Sequence, residues 1–507
     1  MKKNLLALSI AAMVGGLSGA ANAAVFVNTI GVSANGLPAI SANAPAATQL
    51  TPTTTGIGHV LVVPYFSTQQ NNKTLLNIVN TDNVNGKAVK LRFRGAANSD
   101  DVFDISIFLS PGDMWTADVA ADGDISRLVT SDTSCTLPSA QDIKDLGGKF
   151  KTNRVRNADP LQTREGYVEI LNMADVPPGT FPNGANSPLY TAIKHVNGVA
   201  PCTQAVMDLQ ENDLVAVQDH VNSPLRRGYS WPTGGLMANW VIVNVADSAS
   251  FSGEAVALRA TPTNIIDGAG SGNLVWFPQT TADVSVANAA VWTSDPLLAQ
   301  GLVKAASYDF PDLSTPYINV GGVPVTTAAQ ANNLARSLQV TSVTNEYLTN
   351  KSVNFATDWV FSMPTRRYAA AYNYSATGAA QRVLNPAVAA HFNGDNVTLD
   401  AAKGQLCVST GNMRAFDREE STRTTFVISP DTAVRFCGET SVLSFNNTSY
   451  SVLGAKIAQQ NIETKFADGW FTIQTPGVGN GLPVVGFAAA KTQGTNLGGT
   501  WMHRTSK

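Results

Sequence analysis

The residues best suited to acid–base or nucleophilic chemistry do not occur in the spacings that catalysis needs. Asp219 and His220 are adjacent, and neighbouring side chains on a strand point to opposite faces of a sheet. The segment 268–272 has its serine one position away from the Gly-x-Ser-x-Gly pattern of an α/β-hydrolase. Glu419 and Glu420 lie in a segment of mixed charge, which is typical of a solvated turn. The sequence therefore predicts a noncatalytic protein, with a hydrolase of unrecognised site as an alternative.

One group of carboxylates has residue types that suit calcium. Asp118, Asp122 and Asp124 lie close together around Gly123, and hard cations prefer oxygen ligands from aspartates and loop carbonyls. No glutamate closes a twelve-residue loop of the EF-hand type, so ordinary acidic turns are the alternative interpretation. Calcium is the only cofactor that the sequence suggests.

Two aromatic residues are candidates for binding a glycan. Tyr229 and Trp231 follow a short basic segment at 226–228, in a predicted loop. An exposed aromatic ring offers a flat apolar surface on which a sugar could stack, whereas a buried ring fills a core. The first interpretation predicts an adhesin, and the second predicts a structural role for both rings.

The four cysteines indicate disulfide bonds. They are Cys135, Cys202, Cys407 and Cys437, and an even number in an exported chain is typical of a disulfide framework. Three pairings are possible, and proximity along the chain favours Cys135–Cys202 and Cys407–Cys437. The sequence has no Cys-x-x-Cys motif, and its histidines show no metal-ligand spacing.

The N-terminus has the features of a secretory signal peptide. Lys2 and Lys3 precede an apolar run at 5–17, and Ala-Asn-Ala at 21–23 matches a cleavage site. The apolar run is too short to span a bilayer, so we expect removal of residues 1–23, a mature chain that begins at Ala24, and no transmembrane segment afterwards. The predicted location is the cell surface, the extracellular space or the periplasm.

The charge balance disfavours one class of partner and favours another. Without Lys2 and Lys3 the 34 basic residues become 32 against 37 acidic ones, a formal net charge of −5. Because nucleic-acid binding depends on clustered cations, this balance disfavours it. Charged residues make up only 14% of the chain, against roughly 25% in typical soluble domains. An uncharged polar surface favours packing against copies of the same chain or against envelope components.

Strand-length apolar runs bounded by turn residues predict a mainly β fold. Such runs occupy 59–67, 74–81, 88–94 and 102–109, and others follow in the last third of the chain. Asn85-Gly86 predicts a hairpin between two of them. In 89–94 apolar residues alternate with Lys90, Arg92 and Arg94, which predicts a strand with one solvent-facing side. Antiparallel, immunoglobulin-like β-sandwich domains with a few short inserted helices, at 139–146, 295–306 and 328–338, are the predicted architecture.

The chain divides into four predicted segments. They are a signal peptide (1–23), an extended arm or linker (24–57), a β-sandwich region (58–265) and a second β-rich region with short helices (266–507). A strand that ends in Asn with a nearby Asp occurs at 76–82, 167–175 and 240–247. In the first and third copies, a second strand follows that contains Gly-x-Ala-Val and ends in Leu-Arg, which predicts a duplicated unit. Convergence on common turn residues is the alternative.

Short motifs between residues 63 and 115 resemble those of uncharacterised proteobacterial cell-surface proteins. The motifs are VPYFST (63–68), LNIVN (76–80), FRG (93–95) and SPGDMW (110–115). The resemblance implies a surface or extracellular location and no catalytic residues. Separately, the predicted export, the β-rich architecture, the low charge, the N-terminal arm and the missing catalytic motifs favour a structural protein that assembles into a surface layer or fibre. A glycan-binding adhesin and a secreted hydrolase are the alternatives.

Overall fold

A computed structural model describes most of the chain. The described residues are 24–27, 46–215, 220–263, 270–276, 279, 312–411, 413–419, 422–423, 434–445, 450–462, 466–475, 481–495 and 497–507. The predicted signal peptide, most of the predicted arm, the predicted helix at 295–306, Asp219 and Glu420 lie outside the described residues. We call the described residues up to 279 the first half and those from 312 onward the second half.

Strands account for most of the regular structure. Those of the first half are β1 (Ala24–Phe26), β2 (Gln49–Pro52), β3 (Val60–Ser67), β4 (Lys73–Asn80), β5 (Gly86–Gly95), β6 (Asp101–Leu109), β7 (Met114–Asp122), β8 (Ile125–Val129), β9 (Cys135–Leu137), β10 (Glu165–Val176), β11 (Leu236–Asn244), β12 (Ala249–Glu254), β13 (Val256–Thr261) and β14 (Leu274–Trp276). Those of the second half are β15 (Asn319–Val320), β16 (Val323–Pro324), β17 (Gln339–Val340), β18 (Ser342–Leu348), β19 (Phe355–Ser362), β20 (Ala370–Tyr372), β21 (Arg382–Leu384), β22 (Val397–Asp400), β23 (Gln405–Ser409), β24 (Met413–Phe416), β25 (Thr422–Arg423), β26 (Arg435–Cys437), β27 (Thr440–Phe445), β28 (Gln459–Ile462), β29 (Asp468–Gln474), β30 (Leu482–Pro483), β31 (Val485–Thr492), β32 (Gly498–Met502) and β33 (Arg504–Ser506).

The helices are short. The α-helices are α1 (Ala140–Asp145), α2 (Pro188–Ile193), α3 (Gln204–Gln210), α4 (Pro224–Arg227), α5 (Thr327–Leu338) and α6 (Arg366–Ala369). The 3₁₀ turns are Gln69–Asn71, Arg156–Ala158, Pro160–Thr163, Pro182–Gly184, Lys351–Val353, Gly378–Gln381 and Pro386–Val388. The helices predicted at 139–146 and 328–338 are confirmed as α1 and α5. Among the described residues, no helix combines the length and the apolar character needed to cross a bilayer.

Two large sheets form a sandwich in the first half. Sheet 1 has the strand order β2-β13-β3-β10-β5-β6-β9, and sheet 2 has the order β12-β11-β4-β7-β8. Their strands pair antiparallel, and alternate residues point into the space between the sheets. On β11, for example, Trp240 and Ile242 are buried while Val241 between them is partly exposed. The inward residues of both sheets form one apolar core.

The second half contains another sandwich. Sheet 3 has the order β25-β24-β29-β18-β33, and sheet 4 has the order β28-β27-β19-β31-β32. Only β27 and β28 pair parallel in these two sheets. Trp359 and Phe361 of sheet 4 pack with Phe471 of sheet 3, while Val360 on the other face joins the core of the first half. Sheet 4 therefore contacts both its own partner sheet and the first sandwich.

The predicted fold class is confirmed as mainly β, with antiparallel sheets of the sandwich type and few short helices. The sheet orders do not establish an immunoglobulin-like topology. No strand pair in the described residues joins one half to the other. The hydrophobic cores, in contrast, each contain residues from both halves, so the two halves pack as one body.

The hairpin predicted at Asn85-Gly86 is wrong. Strand β4 pairs with β11 and β7 in sheet 2, whereas β5 pairs with β10 and β6 in sheet 1. The Asn80 side chain donates hydrogen bonds to the backbone oxygens of Asn85 and Ser110 and holds the connection as it passes from one sheet to the other. The turn signal is correct, but tertiary packing places its strands in different sheets.

The prediction of a solvent-facing side for β5 is also wrong. Every residue of β5 is buried, including Lys90, Arg92 and Arg94. Segments of the second half and the end of the first half cover this face, and ion pairs satisfy the charges. A period of two reveals that a strand has two different faces, but it does not reveal what covers the polar one.

The described parts of the segment 24–57 do not form a free arm. Strand β2 pairs with β13 at the edge of sheet 1, and the Ser337 hydroxyl of α5 donates to Leu50 O at 2.5 Å. Strand β1 pairs with β14. Leu50 is buried in the core, so hydrophobic contact fixes this segment on its own chain.

Candidate functional site

Both predicted cysteine pairs form disulfide bonds. Cys135 joins Cys202, with a Cα–Cα distance of 5.3 Å, and Cys407 joins Cys437 across the strands β23 and β26. Asp400 lies near the second bond, and its carboxylate and the two sulfurs form the only group of three metal-ligand atoms in the described residues. Because both sulfurs are in a disulfide, they are not free thiolates for a metal. The bonds are compatible with an exported protein.

The two candidate glycan-binding residues are buried, so the expectation that they are exposed is wrong. Tyr229 packs against Trp276, with ring centroids 4.8 Å apart, and its hydroxyl donates to Gln210 Oε1 at 2.6 Å. Trp231 belongs to the same core. A saccharide cannot stack on either ring, because protein atoms already cover them. The short helix α4 directs the following segment inward, which the sequence does not reveal.

The three candidate calcium ligands do not come together as a cation site. Asp118 and Asp122 lie on β7, and Asp124 lies in the turn to β8. Within the described part of the chain, their carboxylates do not form a group with ligand spacing. Asp122 Oδ2 instead lies 3.4 Å from Lys149 Nζ, in an exposed ion pair. Calcium binding therefore stays a prediction without a preformed site.

The most unusual polar cluster covers the outer face of sheet 1. Strand β5 directs Lys90, Arg92 and Arg94 to this face, and β6 contributes Asp101 and Asp104 opposite them in register. Arg92 Nε lies 3.0 Å from Asp101 Oδ2, and Lys90 Nζ contacts Asp104. All five side chains are almost completely buried.

This cluster extends from the first half into the second. Glu169 Oε2 accepts a hydrogen bond from Arg94 Nε at 3.2 Å, and Glu169 Oε1 accepts one from Arg367 Nη2 at 3.3 Å. Asp312 Oδ2 lies 2.8 Å from Arg367 Nη2 and 3.6 Å from Arg94 Nη2. We call this set the buried charge layer: Lys90, Arg92, Arg94, Asp101, Asp104, Arg154, Glu169, Asp312 and Arg367.

Burial and neighbouring charges shift the acid–base properties of the layer. Burial and the adjacent Asp104 raise the pKa of Asp101. Burial would also raise the pKa of Asp104, but Lys90 and Arg92 outweigh it and hold that pKa well below its usual range. Two carboxyls with separated pKa values are a feature of acid–base catalysts. Here both carboxyls are buried among cations of the first half, namely Lys90, Arg92 and Arg154, and form ion pairs with them.

A second polar group, which the sequence analysis did not identify, lies beside the first disulfide. Thr133 Oγ1 is 3.4 Å from His195 Nε2, and His195 Nδ1 is 3.5 Å from Asp113 Oδ2. This is the order of a nucleophile, a base and an orienting acid. However, the Thr133 hydroxyl donates to Gly198 O at 3.0 Å, and Ser110 Oγ shares His195 Nδ1. These contacts connect three loops. The distances of His195 from Thr133 and Asp113 are longer than those of a strong nucleophile–base hydrogen bond.

A groove lies where the exposed edges of sheets 2 and 4 face each other. Its volume is about 400 Å³. The lining comes from Thr53, Thr54 and Gly56, from residues 252–257 at the end of β12 and the start of β13, and from Thr500, Trp501 and Met502 of β32. The Ser252 backbone N–H donates to Thr500 Oγ1 at 3.3 Å, so the two edges touch without forming a ladder. The groove presents one carboxylate, Glu254, among mainly apolar and hydroxyl-bearing groups.

Comparison with protein-family models, with curated proteins and with solved structures found no match for this chain. The resemblance of residues 63–115 to cell-surface proteins therefore stays a prediction. Function has to be argued from the surfaces and the packing of this chain alone.

Proposed function

We propose that this chain is a noncatalytic, exported structural protein that assembles with copies of itself into a layer or fibre. The observation that carries the proposal is the exposure of paired valines at the ends of two hairpins. Val320 and Val323 pair across β15 and β16 and are 62% and 59% exposed. Val196 and Val199 form a similar bridge and are 60% and 53% exposed.

Exposed apolar surface is unfavourable in water, so a contact that covers it lowers the free energy. Covering a valine side chain contributes about 1.5–3 kcal/mol relative to leaving it in water, so four valines in two pairs can support an intermolecular contact. Isolated exposed apolar residues are common, whereas contiguous exposed apolar patches mark surfaces that a partner covers. The low fraction of charged residues, 14%, lowers the desolvation cost of such contacts.

An exposed edge strand supports the same proposal. Strand β33 pairs on one side with β18, and all three of its residues are exposed. An edge strand carries backbone N–H and C=O groups that another chain can pair with. Strand addition at β33 would therefore supply a second contact in an assembly.

The test uses two double variants of the mature protein, Val320→Thr with Val323→Thr, and Val196→Thr with Val199→Thr. Threonine keeps the branched shape but adds a hydroxyl, so the hairpins remain while their contacts weaken. We expect wild type to form sheets or fibres in negative-stain microscopy, and the variants to shift toward monomer in size-exclusion chromatography with light scattering.

The matched control is Val245→Thr, which changes a valine that is 75% exposed in a turn outside both hairpins. This variant should assemble like wild type. A wild type that stays monomeric at high concentration, with and without calcium, would contradict the proposal, and so would double variants that assemble normally.

A secreted hydrolase is the second candidate, because Thr133, His195 and Asp113 are close together. If these residues catalyse, activity on ester, peptide or glycoside substrates should be present in wild type and lost in His195→Asn. Inactivity of the wild type on all three substrate classes would eliminate this candidate.

A further inference from the structure

Sheet 3 has an aromatic pair on its solvent-facing side. Along β29, Phe471 and Ile473 point into the core, whereas Trp470 lies on the opposite side and is 40% exposed. Its ring stacks on Phe416 of β24, with centroids 3.9 Å apart and an angle of 9° between the planes. The indole is therefore held in place by one neighbour while a large part of its surface contacts water. Large apolar surface of this kind contributes binding free energy when a ligand covers it.

A row of polar residues crosses the same face, one pleat away from Trp470. In register, Arg414 lies opposite Thr472, Thr472 opposite Thr344, and Thr344 opposite Arg504. The Thr344 hydroxyl donates to Thr472 Oγ1 at 2.9 Å. Strands are about 4.8 Å apart, so the two arginine backbones lie about 14 Å from each other.

The charges on this face are unevenly balanced. Both Arg414 and Arg504 are exposed, and neither side chain forms a hydrogen bond or ion pair with the described part of the chain. Glu346, opposite Trp470, is the exposed acidic group of the same rows. Arg418 is already paired with Asp468, at 3.3 Å. The face thus presents the guanidinium groups of Arg414 and Arg504, which have no partner in the described part of the chain, and one exposed carboxylate, that of Glu346.

An aromatic ring beside hydroxyls and guanidinium groups matches the chemistry of an acidic saccharide. The apolar face of a sugar ring can stack on indole, and a guanidinium group binds a carboxylate with two parallel hydrogen bonds. Single-stranded nucleic acid also uses stacking and cations, but it needs a continuous positive groove along its backbone. Glu346 next to the ring and the net acidic charge of the chain disfavour it.

We propose that the solvent-facing side of sheet 3 binds a polysaccharide that carries carboxylate groups. Trp470 stacks on a sugar ring, Arg414 and Arg504 bind carboxylates along the polymer, and Thr472 offers a hydroxyl between them. The proposal does not depend on self-assembly. The paired valines lie outside this face, and strand addition at β33 would use backbone groups of the sheet edge rather than the Arg504 side chain.

The experiment measures the retardation of the mature protein in native gels that contain polygalacturonate, dextran or a single-stranded oligonucleotide. We expect polygalacturonate to retard wild type and the two other polymers to leave it unaffected. Trp470→Ala should weaken the binding about tenfold or more, from loss of stacking. Arg414→Gln with Arg504→Gln should weaken it by a similar factor and reduce its dependence on salt, since salt screens exposed charges.

Two further variants separate a local effect from misfolding. Trp470→Phe keeps a stacking ring and should retain intermediate affinity. Arg336→Gln removes an exposed arginine on α5, outside this face, and should bind like wild type. The proposal is overturned if polygalacturonate does not retard wild type, if dextran or the oligonucleotide retards it equally, or if Trp470→Ala binds normally.

Discussion

His503 is a half-buried residue near the C-terminus whose two ring nitrogens both have partners. Its Nε2 lies 3.0 Å from Val360 O, and its Nδ1 accepts from Asn345 Nδ2 at 3.0 Å, so the neutral ring with the proton on Nε2 fits the site. Burial lowers its pKa to about 4. His59 is similar, since burial and the nearby Lys87 lower its pKa to about 3.

These shifts give a pH dependence with a definite sign. An unfolded histidine titrates near 6.5, so the unfolded state binds protons below that value while the folded state does not. The contribution of each histidine is fully present above about pH 6.5 and is lost as the pH falls toward the folded pKa.

At the scale of the residue, we predict that His503→Gln flattens the fall in unfolding free energy between pH 6.5 and pH 4. Glutamine retains a donor toward Val360 O but cannot titrate. Urea unfolding at several pH values measures the effect, and subtracting the variant from wild type isolates His503 from the other buried groups. A difference that does not change with pH would contradict the prediction.

At the scale of the element, Gly166 allows β10 to approach the neighbouring strand β5 closely. Gly166 is the second residue of the fully buried strand β10, and a Cβ atom there would lie 1.7 Å from Arg94 O on β5. The pairing of β10 with β3 shifts register between Gly166 and Val168. The missing side chain therefore lets β10 sit between its two neighbours at the position where the ladder changes.

We predict that Gly166→Ala lowers the unfolding free energy by about 2–3 kcal/mol or more, because backbone atoms have to move to admit the methyl group. Gly394→Ala is the matched control, since its Cβ would lie 3.6 Å from Leu384 Cδ1, an ordinary contact. That variant should stay within about 0.5 kcal/mol of wild type. Chemical denaturation of both proteins tests the prediction, and equal effects would refute it.

At the scale of the whole molecule, polar contacts bind the two halves together. In the buried charge layer, Glu169 of the first half accepts from Arg367 of the second. Elsewhere, Ala96 O accepts from Glu439 N at 2.7 Å, and the Ser362 hydroxyl donates to Pro64 O at 2.6 Å. Separating the halves would leave these polar groups exposed to water or without hydrogen-bond partners. We therefore expect wild type to unfold in one cooperative transition.

We predict that Glu169→Gln lowers the unfolding free energy by about 3–5 kcal/mol, because it removes the charge that pairs with two buried guanidinium groups. Glu346→Gln, the same change on the exposed face of sheet 3, should cost less than about 0.5 kcal/mol. Calorimetry and tryptophan fluorescence check both effects. Two separate transitions in wild type, or equal costs for the two variants, would show that the layer does not join the halves.

The class of the fold and the covalent links follow from local features of the sequence. Turn residues and β-branched runs located β3, β4, β5 and β6 to within two residues, because strand propensity and turn chemistry are local. Proximity along the chain was enough to pair the cysteines correctly. Helix α5 followed from its alanine-rich composition and periodicity.

Strand pairing and the exposure of each sheet face, in contrast, depend on packing between distant parts of the chain. Nothing local distinguishes a hairpin from a crossover between sheets, so the partners of β4 and β5 depended on packing with β11 and β10. The charges on β5 look solvent-facing in the sequence, but residues more than two hundred positions away cover and pair them, as Asp312 does for Arg94 at 3.6 Å. For the same reason the buried Tyr229 and the exposed Trp470 could not be told apart in sequence, because exposure depends on distant segments of the chain.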